Sequence, residues 1–542
     1  MLGPLLRYVG MGEATVWVQA DAPCEVEVLG RRERTFRVGR RHIALVPLTR
    51  LEPGRVHPYE VALDGVTRWP EPGDPAPAIR TPREDDRLRL AVGSCRVAAP
   101  AGPPYELRPD DHRRGRGADA LAALAARLEA SPRGEWPDLM LMLGDQVYID
   151  RDHPGTTAEI RRRRGRTSPR DAPLDLDEHA LVYEESWGDP AIRRLLASLP
   201  PAMIFDDHEV MDDWNSSLAW RRRRERRGWW PRRLEAALMA YWLLQHLGNL
   251  SPAALAADPA LAAVRAAGTA GDGEPVLRAL AVGWAREPRS VRWSLRRDLG
   301  RVRLVALDSR SRRVLDPAAR RIADDEEWSW LEAAATGDVD HLLVATSLPL
   351  LLPHGLQRLE AVSERLTSGA RGPGVARAAE VARRRFGLEH WGAFADSFAR
   401  MAALLERVGA GGRGAAPASI TVLAGDVHHA YLTEIGFRRE AGVRSAVNQV
   451  VTSPMRNALP GLPRRLLRVG HSRPFAALTG AAARLAGVPR EPLGWRITDG
   501  PIYENNLATI DVDGRRADVV VERALPGADG PRLIPAMRRR LV

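Results

Sequence analysis

The sequence contains no lysine, only two cysteines and no long apolar run. All 80 basic side chains are therefore arginines, and the formal net charge is +11. An arginine-only basic set is typical of a GC-rich coding sequence, although a positive field also attracts anionic substrates and guanidinium groups match phosphate. Cys24 and Cys95 are too few for a disulfide framework, and they indicate a reducing compartment or one special thiol.

The lack of long apolar runs argues against a membrane-spanning helix, which requires about 20 apolar residues. The longest candidate, Leu342 to Leu352, is short and contains Thr346, Ser347 and Pro349. The first residues lack a basic stretch that is followed by an unbroken apolar segment and a small-residue cleavage site, so that no signal peptide is expected. These features predict a soluble, cytoplasmic protein.

Length and patterning predict two domains. A chain of 542 residues with 44% hydrophobic content can bury a large core and is too long for one ordinary domain. Short β-rich segments separated by turns predict a small antiparallel β-sandwich in residues 1–82, with a proline-rich stretch at 70–82 as its linker to residues 83–542. The strands expected in the first domain are Ala14–Gln19, Glu25–Leu29, Thr35–Val38, His42–Leu48 and Pro58–Leu63.

From residue 88 onward, short apolar segments alternate with Ala- and Arg-rich helical stretches, which indicates an α/β core. The expected strands are Leu88–Gly93, Leu139–Leu143, Ala202–Phe205, Val302–Leu307, Leu342–Ala345, Ile420–Ala424, Val447–Val451 and Leu507–Val512. The expected helices are Ala118–Glu129, Arg233–Leu247, Val375–Arg385 and Ser397–Val408.

Four of these predicted strands end in side chains of types that can serve as metal ligands. In open α/β sheets ligands bind at the carboxyl ends of the strands, and a set of carboxylate, imidazole, thiolate and phenolate groups suits hard or borderline cations. The four ends are Gly93-Ser94-Cys95, Gly144-Asp145-Gln146-Val147-Tyr148, Asp206-Asp207-His208-Glu209 and Gly425-Asp426-Val427-His428-His429.

Together these motifs resemble the alkaline phosphatase D (PhoD-like) family of the calcineurin-like metallophosphatase superfamily. The segments Tyr183-x-x-x-Trp187, Asp308-Ser309-Arg310 and 448–454 also fit this family. The resemblance covers roughly residues 88–520, and residues 1–82 resemble the small β domain of the family. It implies an α/β fold with a metallophosphatase-type β-sandwich core flanked by helices, preceded by a small all-β sandwich.

The resemblance also implies a binuclear or multinuclear metal site in which Asp145 is the bridging carboxylate. Asp426 stands where many relatives have an imidazole. Cys95 and Tyr148 resemble an added thiolate and phenolate, a pair that favours Fe³⁺, whereas the carboxylate-rich position suits Ca²⁺ or another divalent cation. The six expected ligands are Cys95, Asp145, Tyr148, Asp207, Asp426 and His428.

The expected reaction is the hydrolysis of a phosphate ester by attack of metal-bound hydroxide. His208 is expected to stabilise the developing charge or to protonate the leaving group, and Arg310 to hold a phosphate oxygen. The predicted protein is thus a hydrolase of phosphoric ester bonds, a phosphatase or phosphodiesterase, whose substrate is a small or polymeric ester. Nucleic acid is expected only as a substrate. Many metallophosphatases have a histidine after the strand that precedes the last motif. Here no histidine follows that strand until His354, so the sequence does not specify the identity of the second metal.

Several neighbouring residues have open interpretations. Asp206 is expected to support the ligands, and His429 either to support them or to be structural. Glu209 is expected to be structural, and His390 and Trp391 either border the cleft or pack. A buried free cysteine is commonly a small hydrophobe, so that the ligand role of Cys95 depends mainly on the resemblance.

Two alternative functions use other parts of the chain. The arginine runs Arg161–Arg164 and Arg221–Arg224, the latter followed by Trp229 and Trp230, are compatible with a nucleic-acid-binding protein that has a vestigial metallophosphatase site, or with solvated surfaces. The segment Leu462–Val488 joins arginines to a small apolar helix, which is compatible with a membrane-surface protein, with a lid over the site, or with packing.

Overall fold

The N-terminal domain is an all-β unit of two four-stranded antiparallel sheets and one two-stranded sheet. The structure is a computed structural model that describes residues 1–83, 87–151, 153–165, 167, 169–170 and 172–542. One sheet has the order β1-β2-β6-β5, the other β4-β3-β8-β9, and β10 pairs with β7. The strands are β1 (Leu2–Val9), β2 (Glu13–Ala20), β3 (Glu25–Val28), β4 (Arg31–Arg34), β5 (Phe36–Val38), β6 (Arg41–Thr49), β7 (Val56–Pro58), β8 (Val61–Leu63), β9 (Val66–Trp69) and β10 (Ala78–Arg80).

Alternation of apolar residues builds the core of this domain. Val16 and Val18 of β2 point into the same cluster as Val26 and Val28 of β3, which joins the two larger sheets face to face. The expectation of an all-β sandwich is thereby confirmed.

Three details of this domain differ from the sequence prediction. Strand β1 was not expected, because Gly3 and Pro4 near its start weaken the strand pattern. The single strand predicted over Pro58–Leu63 is two strands, because β7 pairs with β10 whereas β8 pairs with β3. The stretch 70–82 is also more than a linker, since β10 within it pairs with β7.

The larger part of the chain is built around two sheets. A six-stranded sheet has the order β13-β12-β11-β21-β22-β23, and a seven-stranded sheet has the order β14-β15-β16-β17-β19-β18-β20. The strands are β11 (Arg87–Gly93), β12 (Leu139–Met142), β13 (Pro201–Met203), β14 (Leu295–Leu299), β15 (Val302–Leu307), β16 (His341–Thr346), β17 (Ser419–Ala424), β18 (Ala430–Gly436), β19 (Ala446–Val451), β20 (Gly494–Ile502), β21 (Asn506–Asp513), β22 (Arg516–Leu525) and β23 (Arg532–Arg540).

The inner faces of the two sheets pack on each other and form the central core. Leu90 of β11 and Leu141 of β12 lie in one buried cluster with Leu304 of β15 and Leu343 of β16. Successive strand residues point to opposite faces, so that Ala91 faces outward toward helices instead. Because both faces of these strands are covered, they appear in the sequence as nearly continuous apolar runs.

Helices cover both outer faces of the sandwich, which confirms the predicted fold class. They are α1 (Ala120–Glu129), α2 (Pro154–Arg164), α3 (Leu176–Trp187), α4 (Pro190–Leu196), α5 (Leu218–Glu225), α6 (Trp230–Leu244), α7 (Pro252–Ala257), α8 (Pro259–Ala270), α9 (Glu274–Arg286), α10 (Asp325–Ala334), α11 (His354–Thr367), α12 (Pro373–Phe386), α13 (Ala395–Ala410), α14 (Gly461–Gly470) and α15 (Arg473–Ala486). Within the described residues, no helix is long and apolar enough to cross a membrane.

The two domains share a continuous buried interface. Trp17 and Phe36 of the N-terminal domain belong to the same apolar cluster as residues of α3, α6 and the outer face of the six-stranded sheet. The fully buried Arg7 guanidinium donates to the carbonyl oxygens of Leu244 (2.7 Å) and Gln245 (2.8 Å) at the end of α6.

Candidate metal centre

The polar strand ends of both sheets meet at one edge of the sandwich. Strands β11, β12 and β13 run parallel in one sheet, and β15, β16 and β17 run parallel in the other. Arg310, which follows β15, donates from Nε to Asp206, which follows β13. The carboxyl ends of the two parallel sets are therefore adjacent, as expected for a site at this edge.

Four of the six predicted ligands adopt a left-handed backbone conformation. The φ angles are +57° at Cys95, +54° at Asp145, +65° at Asp426 and +53° at His428. Residues with side chains rarely adopt this region, which crowds the Cβ atom. Each turn directs its side chain from a strand end toward the shared edge instead of along the strand.

Close backbone approach at this edge requires glycine beside two of these ligands. Gly144 has φ +102°, and a Cβ atom there would lie 2.5 Å from the Asp206 Cβ atom. A Cβ atom at Gly425 would collide with the Ser94 side chain. The glycine of each Gly-Asp pair thus lets two strand ends approach.

Cys95, Asp145, Tyr148 and His428 form a compact cluster at this edge. The Cys95 Sγ and the Tyr148 hydroxyl lie 3.4 and 3.0 Å from Asp145 Oδ2. The Tyr148 oxygen lies 3.3 Å from His428 Nε2. A thiol, a phenol, a carboxylate and an imidazole therefore converge on one small volume.

The protonation of this cluster is strongly affected by its burial. Burial, together with the neighbouring Asp145, raises the pKa of the Cys95 thiol and of the Tyr148 phenol well above their usual values. Burial also raises the pKa of Asp145. The pKa of His428 is lowered to about 4 by burial, which leaves its imidazole neutral, as a metal ligand must be. A cation would compensate the charge of the three acidic groups.

A second cluster gathers four carboxylates around the Arg310 guanidinium, which is completely buried. Besides its bond to Asp206, Arg310 donates to Glu389 (2.7 Å), Asp207 (3.3 Å) and Asp426 (3.2 Å). These carboxylates raise the pKa of Arg310 against the opposing effect of burial. The Arg310 guanidinium is therefore charged and fixed in position by four carboxylates.

His390 completes the surroundings of Asp426. Its Nε2 lies 3.2 Å from Asp426 Oδ2, and its Nδ1 lies 2.6 Å from Glu360 Oε1. Burial would lower the pKa of His390, but the two carboxylates raise it to about 10. Of the two interpretations open for His390, bordering the cleft is thus the one its contacts favour. His354, by contrast, lies against Trp495, with ring centroids 4.2 Å apart.

His208 lies between the site and two further acids. Its Nδ1 is 2.7 Å from Asp150 Oδ1, and its Nε2 is 3.5 Å from Asp212 Oδ1. Burial opposes the protonated form, but the carboxylates of Asp150, Asp145 and Asp207 raise the pKa of His208 well above its usual value. The backbone N–H of His208 donates to Asp145 Oδ1 (3.3 Å), which links it to the first cluster.

The Asp-Asp-His-Glu segment folds locally as a capping box. Asp206 caps a single 3₁₀ turn over Asp207–Glu209 through its side chain, and the Glu209 carboxylate accepts the Asp206 backbone N–H at 3.0 Å. Glu209 also accepts the backbone N–H of Gln146 (2.9 Å), which ties this turn to the one after β12. These contacts agree with a structural role for Glu209.

Five contributors to the site were not predicted: Asp150, Asp212, Asp213, Glu360 and Glu389. The backbone N–H of Asp213 donates to Asp207 Oδ2 (2.6 Å). Asp150 was accessible to sequence reasoning, because it lies in the same strand-end loop as Tyr148. Glu389 carried no such signal, since it follows the Arg-rich helix α12 instead of an apolar strand.

The residues present fit metal ions on the chemistry of the donors. Cys95, Asp145, Tyr148 and His428 offer one sulfur, two oxygens and one nitrogen within contact of one another. A second group, Asp145, Asp206, Asp207 and Asp426, brings four carboxylate oxygens within 4.8 Å of one another. Asp206 Oδ2 is buried and has no hydrogen-bond partner among the described residues, a costly state that a cation would relieve.

Comparisons with known proteins find a phosphatase family model and a solved structure of similar fold. The family model described as PhoD-like phosphatase matches residues 124–247, and a domain of unknown function, DUF7800, matches residues 1–81. A solved structure of PhoD is similar to the chain with a TM-score of 0.59 and 12% sequence identity, and the match covers 100% of this chain and 91% of that one. At this identity the likeness shows a shared fold. No curated protein matches the chain.

Proposed function

We propose that this chain, whose resemblance to the PhoD-like phosphatases is confirmed by these comparisons, is a metal-dependent phosphoesterase. The observation that carries the proposal is the convergence of Cys95, Asp145, Tyr148 and His428 beside a second cluster of carboxylates. Buried acids are rarely gathered in this way for packing, because each uncompensated charge destabilises the fold.

Two cation positions share Asp145 in this proposal. The thiolate and phenolate side suits Fe³⁺, held by Cys95, Asp145, Tyr148 and His428. Asp145, Asp206, Asp207 and Asp426 offer the oxygen ligands that Ca²⁺ or another hard divalent ion prefers. When bound, the cations supply Lewis-acid chemistry, since they polarise a phosphoryl oxygen and lower the pKa of a water.

The chain's own residues supply positioning and proton transfer. Asp150 fixes the His208 ring through Nδ1, which leaves Nε2 to give a proton to the leaving-group oxygen of the ester. Arg310 neutralises Asp206, Asp207 and Asp426 and keeps their carboxylates oriented. The prediction that Arg310 itself holds a phosphate oxygen stays a prediction, and its four carboxylate contacts favour the positioning role.

Phosphate monoesters and diesters are the proposed substrate class, small or polymeric, with nucleic acid included only as a substrate. Dedicated nucleic-acid binding by the arginine run 161–164 is less well supported, because Arg162 and Arg163 both contact Glu159 at 2.7 and 2.5 Å. Arg164 pairs with Glu178 at 2.9 Å. Charges that are satisfied within the protein contribute less to phosphate contacts.

Metal analysis combined with a substrate panel tests the proposal. The purified chain should contain metal and hydrolyse p-nitrophenyl phosphate, bis(p-nitrophenyl) phosphate or both, and a chelator should abolish that hydrolysis. Readdition of the metals found by elemental analysis should restore it. Hydrolysis that persists in metal-free protein, or a metal-loaded protein that hydrolyses neither class of ester, would overturn the proposal.

A further inference from the structure

Helices α14 and α15 form a hairpin that exposes a row of large apolar side chains. Leu462 and Leu466 on α14 are 69% and 63% exposed, and Val469, one turn further, is 53% exposed. On α15, Leu478 and Leu485 are 68% and 80% exposed. The spacing of four, three and seven residues places each set on one face of its own helix, so that each helix carries part of an exposed apolar stripe instead of scattered positions.

The hairpin is fixed to the body of the protein by its other face. Gly470 packs against the Leu356 side chain, and Gly355 lies under the Phe475 ring. His471 Nε2 lies 3.2 Å from Nε2 of His429, the residue next to the ligand candidate His428. The exposed stripe is therefore a defined surface beside the metal centre.

Charge on this hairpin is of one sign. The segment 461–490 contains six arginines and no acidic residue. Arg464 pairs with Asp110 (2.7 Å), whereas Arg465, Arg473 and Arg484 are exposed. An apolar stripe flanked by cations is the pattern of a helix that lies in the interface of an anionic bilayer.

The polar side of α14 lines a cavity of about 460 Å³ next to the stripe. Arg464, Arg468 and His471 of the hairpin face Tyr503 and Glu504 across it. The Arg468 guanidinium lies 5.5 Å from the centroid of the Tyr503 ring. The cavity has the size and cations to receive an anionic head group while apolar chains contact the stripe.

We propose that the α14–α15 hairpin docks the protein on a bilayer that contains anionic phospholipid. A second copy of the chain fits this surface poorly, because a two-fold contact would bring two sets of six arginines together. Nucleic acid would use the arginines but would leave the stripe in water. The proposal is independent of the phosphoesterase activity, since it concerns binding alone.

Vesicle sedimentation tests the proposal on the full chain. The protein should bind vesicles of phosphatidylcholine with phosphatidylglycerol and should bind pure phosphatidylcholine much more weakly. The double variants Leu466→Asp with Leu485→Asp, and Arg465→Glu with Arg484→Glu, should each bind the mixed vesicles at least about tenfold more weakly. Hydrolysis of p-nitrophenyl phosphate should be unchanged in both.

A matched control lies in the N-terminal domain. Val66 is 51% exposed and Arg68 is exposed on the same strand, β9, so that Val66→Asp with Arg68→Glu should bind vesicles like the wild type. The proposal would be overturned if the wild type did not bind the mixed vesicles, or if the hairpin variants bound them as tightly as the wild type does. A concentration-dependent dimer that Leu466→Asp dissociates, or tighter binding to duplex DNA than to the mixed vesicles, would also overturn it.

Discussion

Asp145 is the residue on which both clusters of the site depend. One of its carboxylate oxygens faces Cys95 and Tyr148, and the other accepts the backbone N–H of His208. The same side chain also belongs to the group of four convergent carboxylates. A bridging position predicts that its loss affects both cations at once.

Asp145→Asn should therefore lose most bound metal and lower turnover by at least about 100-fold, more than is usual for a residue outside the ligand set. Elemental analysis and hydrolysis of both ester classes measure the two effects. Asp513→Asn, on the exposed end of β21, is the control and should retain both. A folded Asp145→Asn protein with near-normal turnover would contradict the bridging role.

His208→Ala separates proton transfer from metal binding. Because Asp150 orients the ring and its Nε2 faces outward from that contact, we expect turnover to fall by roughly 10²–10⁴-fold while metal content stays near wild type. His208 also lies within reach of Asp145 and Asp207 as a possible ligand. Parallel loss of metal and activity would assign it to that role instead.

Cys95 and Tyr148 decide whether iron is present. A thiolate and a phenolate bound to Fe³⁺ absorb visible light by charge transfer, so that the pure protein should be coloured and should fade on reduction. Cys95→Ala and Tyr148→Phe should each change or remove the colour and lower activity. Fully active, colourless protein with two divalent ions and no iron would refute the iron prediction and leave the phosphoesterase proposal intact.

For individual residues, the sequence predicts a place in the site wherever a polar residue closely follows an apolar strand. That rule finds Cys95, Asp145, Asp207 and Asp426. It cannot find Glu389, which reaches Arg310 from a loop after an exposed helix, because nothing local in the sequence indicates which sheet edge the loop approaches.

At the scale of elements, the site depends on how closely the ends of neighbouring strands approach one another. Gly425→Ala would push a Cβ atom into the Ser94 side chain and separate β17 from β11. We expect unfolding free energy to fall by about 1–3 kcal/mol, with weakened metal binding. Thermal unfolding and metal titration measure these effects.

Gly283→Ala provides the matched control, because the position lies inside α9 with open space around it. That change should be neutral or should stabilise the protein by up to about 1 kcal/mol. If Gly425→Ala and Gly283→Ala are equally stable, the end of β17 has room for a Cβ atom beside the end of β11, and the proposed close contact is wrong.

The eight strands predicted for the larger domain are all present, because each contains a short run of mostly buried apolar residues. Strands β14, β18, β20, β22 and β23 were not predicted. Strand β20, for example, has mostly half-exposed residues and contains Pro501. Such edge and hairpin strands depend on pairing that local patterns do not specify.

At the scale of the whole molecule, we propose that the two domains unfold together. Arg7 spans their interface, and burial lowers its pKa to about 9, yet it donates to two carbonyl oxygens of the other domain. Arg7→Met should cost about 2–5 kcal/mol, because two buried carbonyl groups lose a charged donor.

Calorimetry should show one transition in the wild type and a lower midpoint, or two transitions, in Arg7→Met. Arg68→Met, on the exposed strand β9, should leave the trace unchanged. An unaltered midpoint in Arg7→Met would contradict the proposed coupling. The sequence could not predict this contact, since Arg7 is one arginine among 80 and its acceptors lie more than 200 residues away.

The left-handed turns at Cys95, Asp145, Asp426 and His428 have a consequence for directed evolution. Glycine would satisfy each of these turns at lower conformational cost than the residue present. A library selected for thermostability alone should therefore accumulate glycine or asparagine at these four positions and lose the chemistry. Selection for stability and selection for activity oppose each other there, and only a screen that applies both will preserve the site.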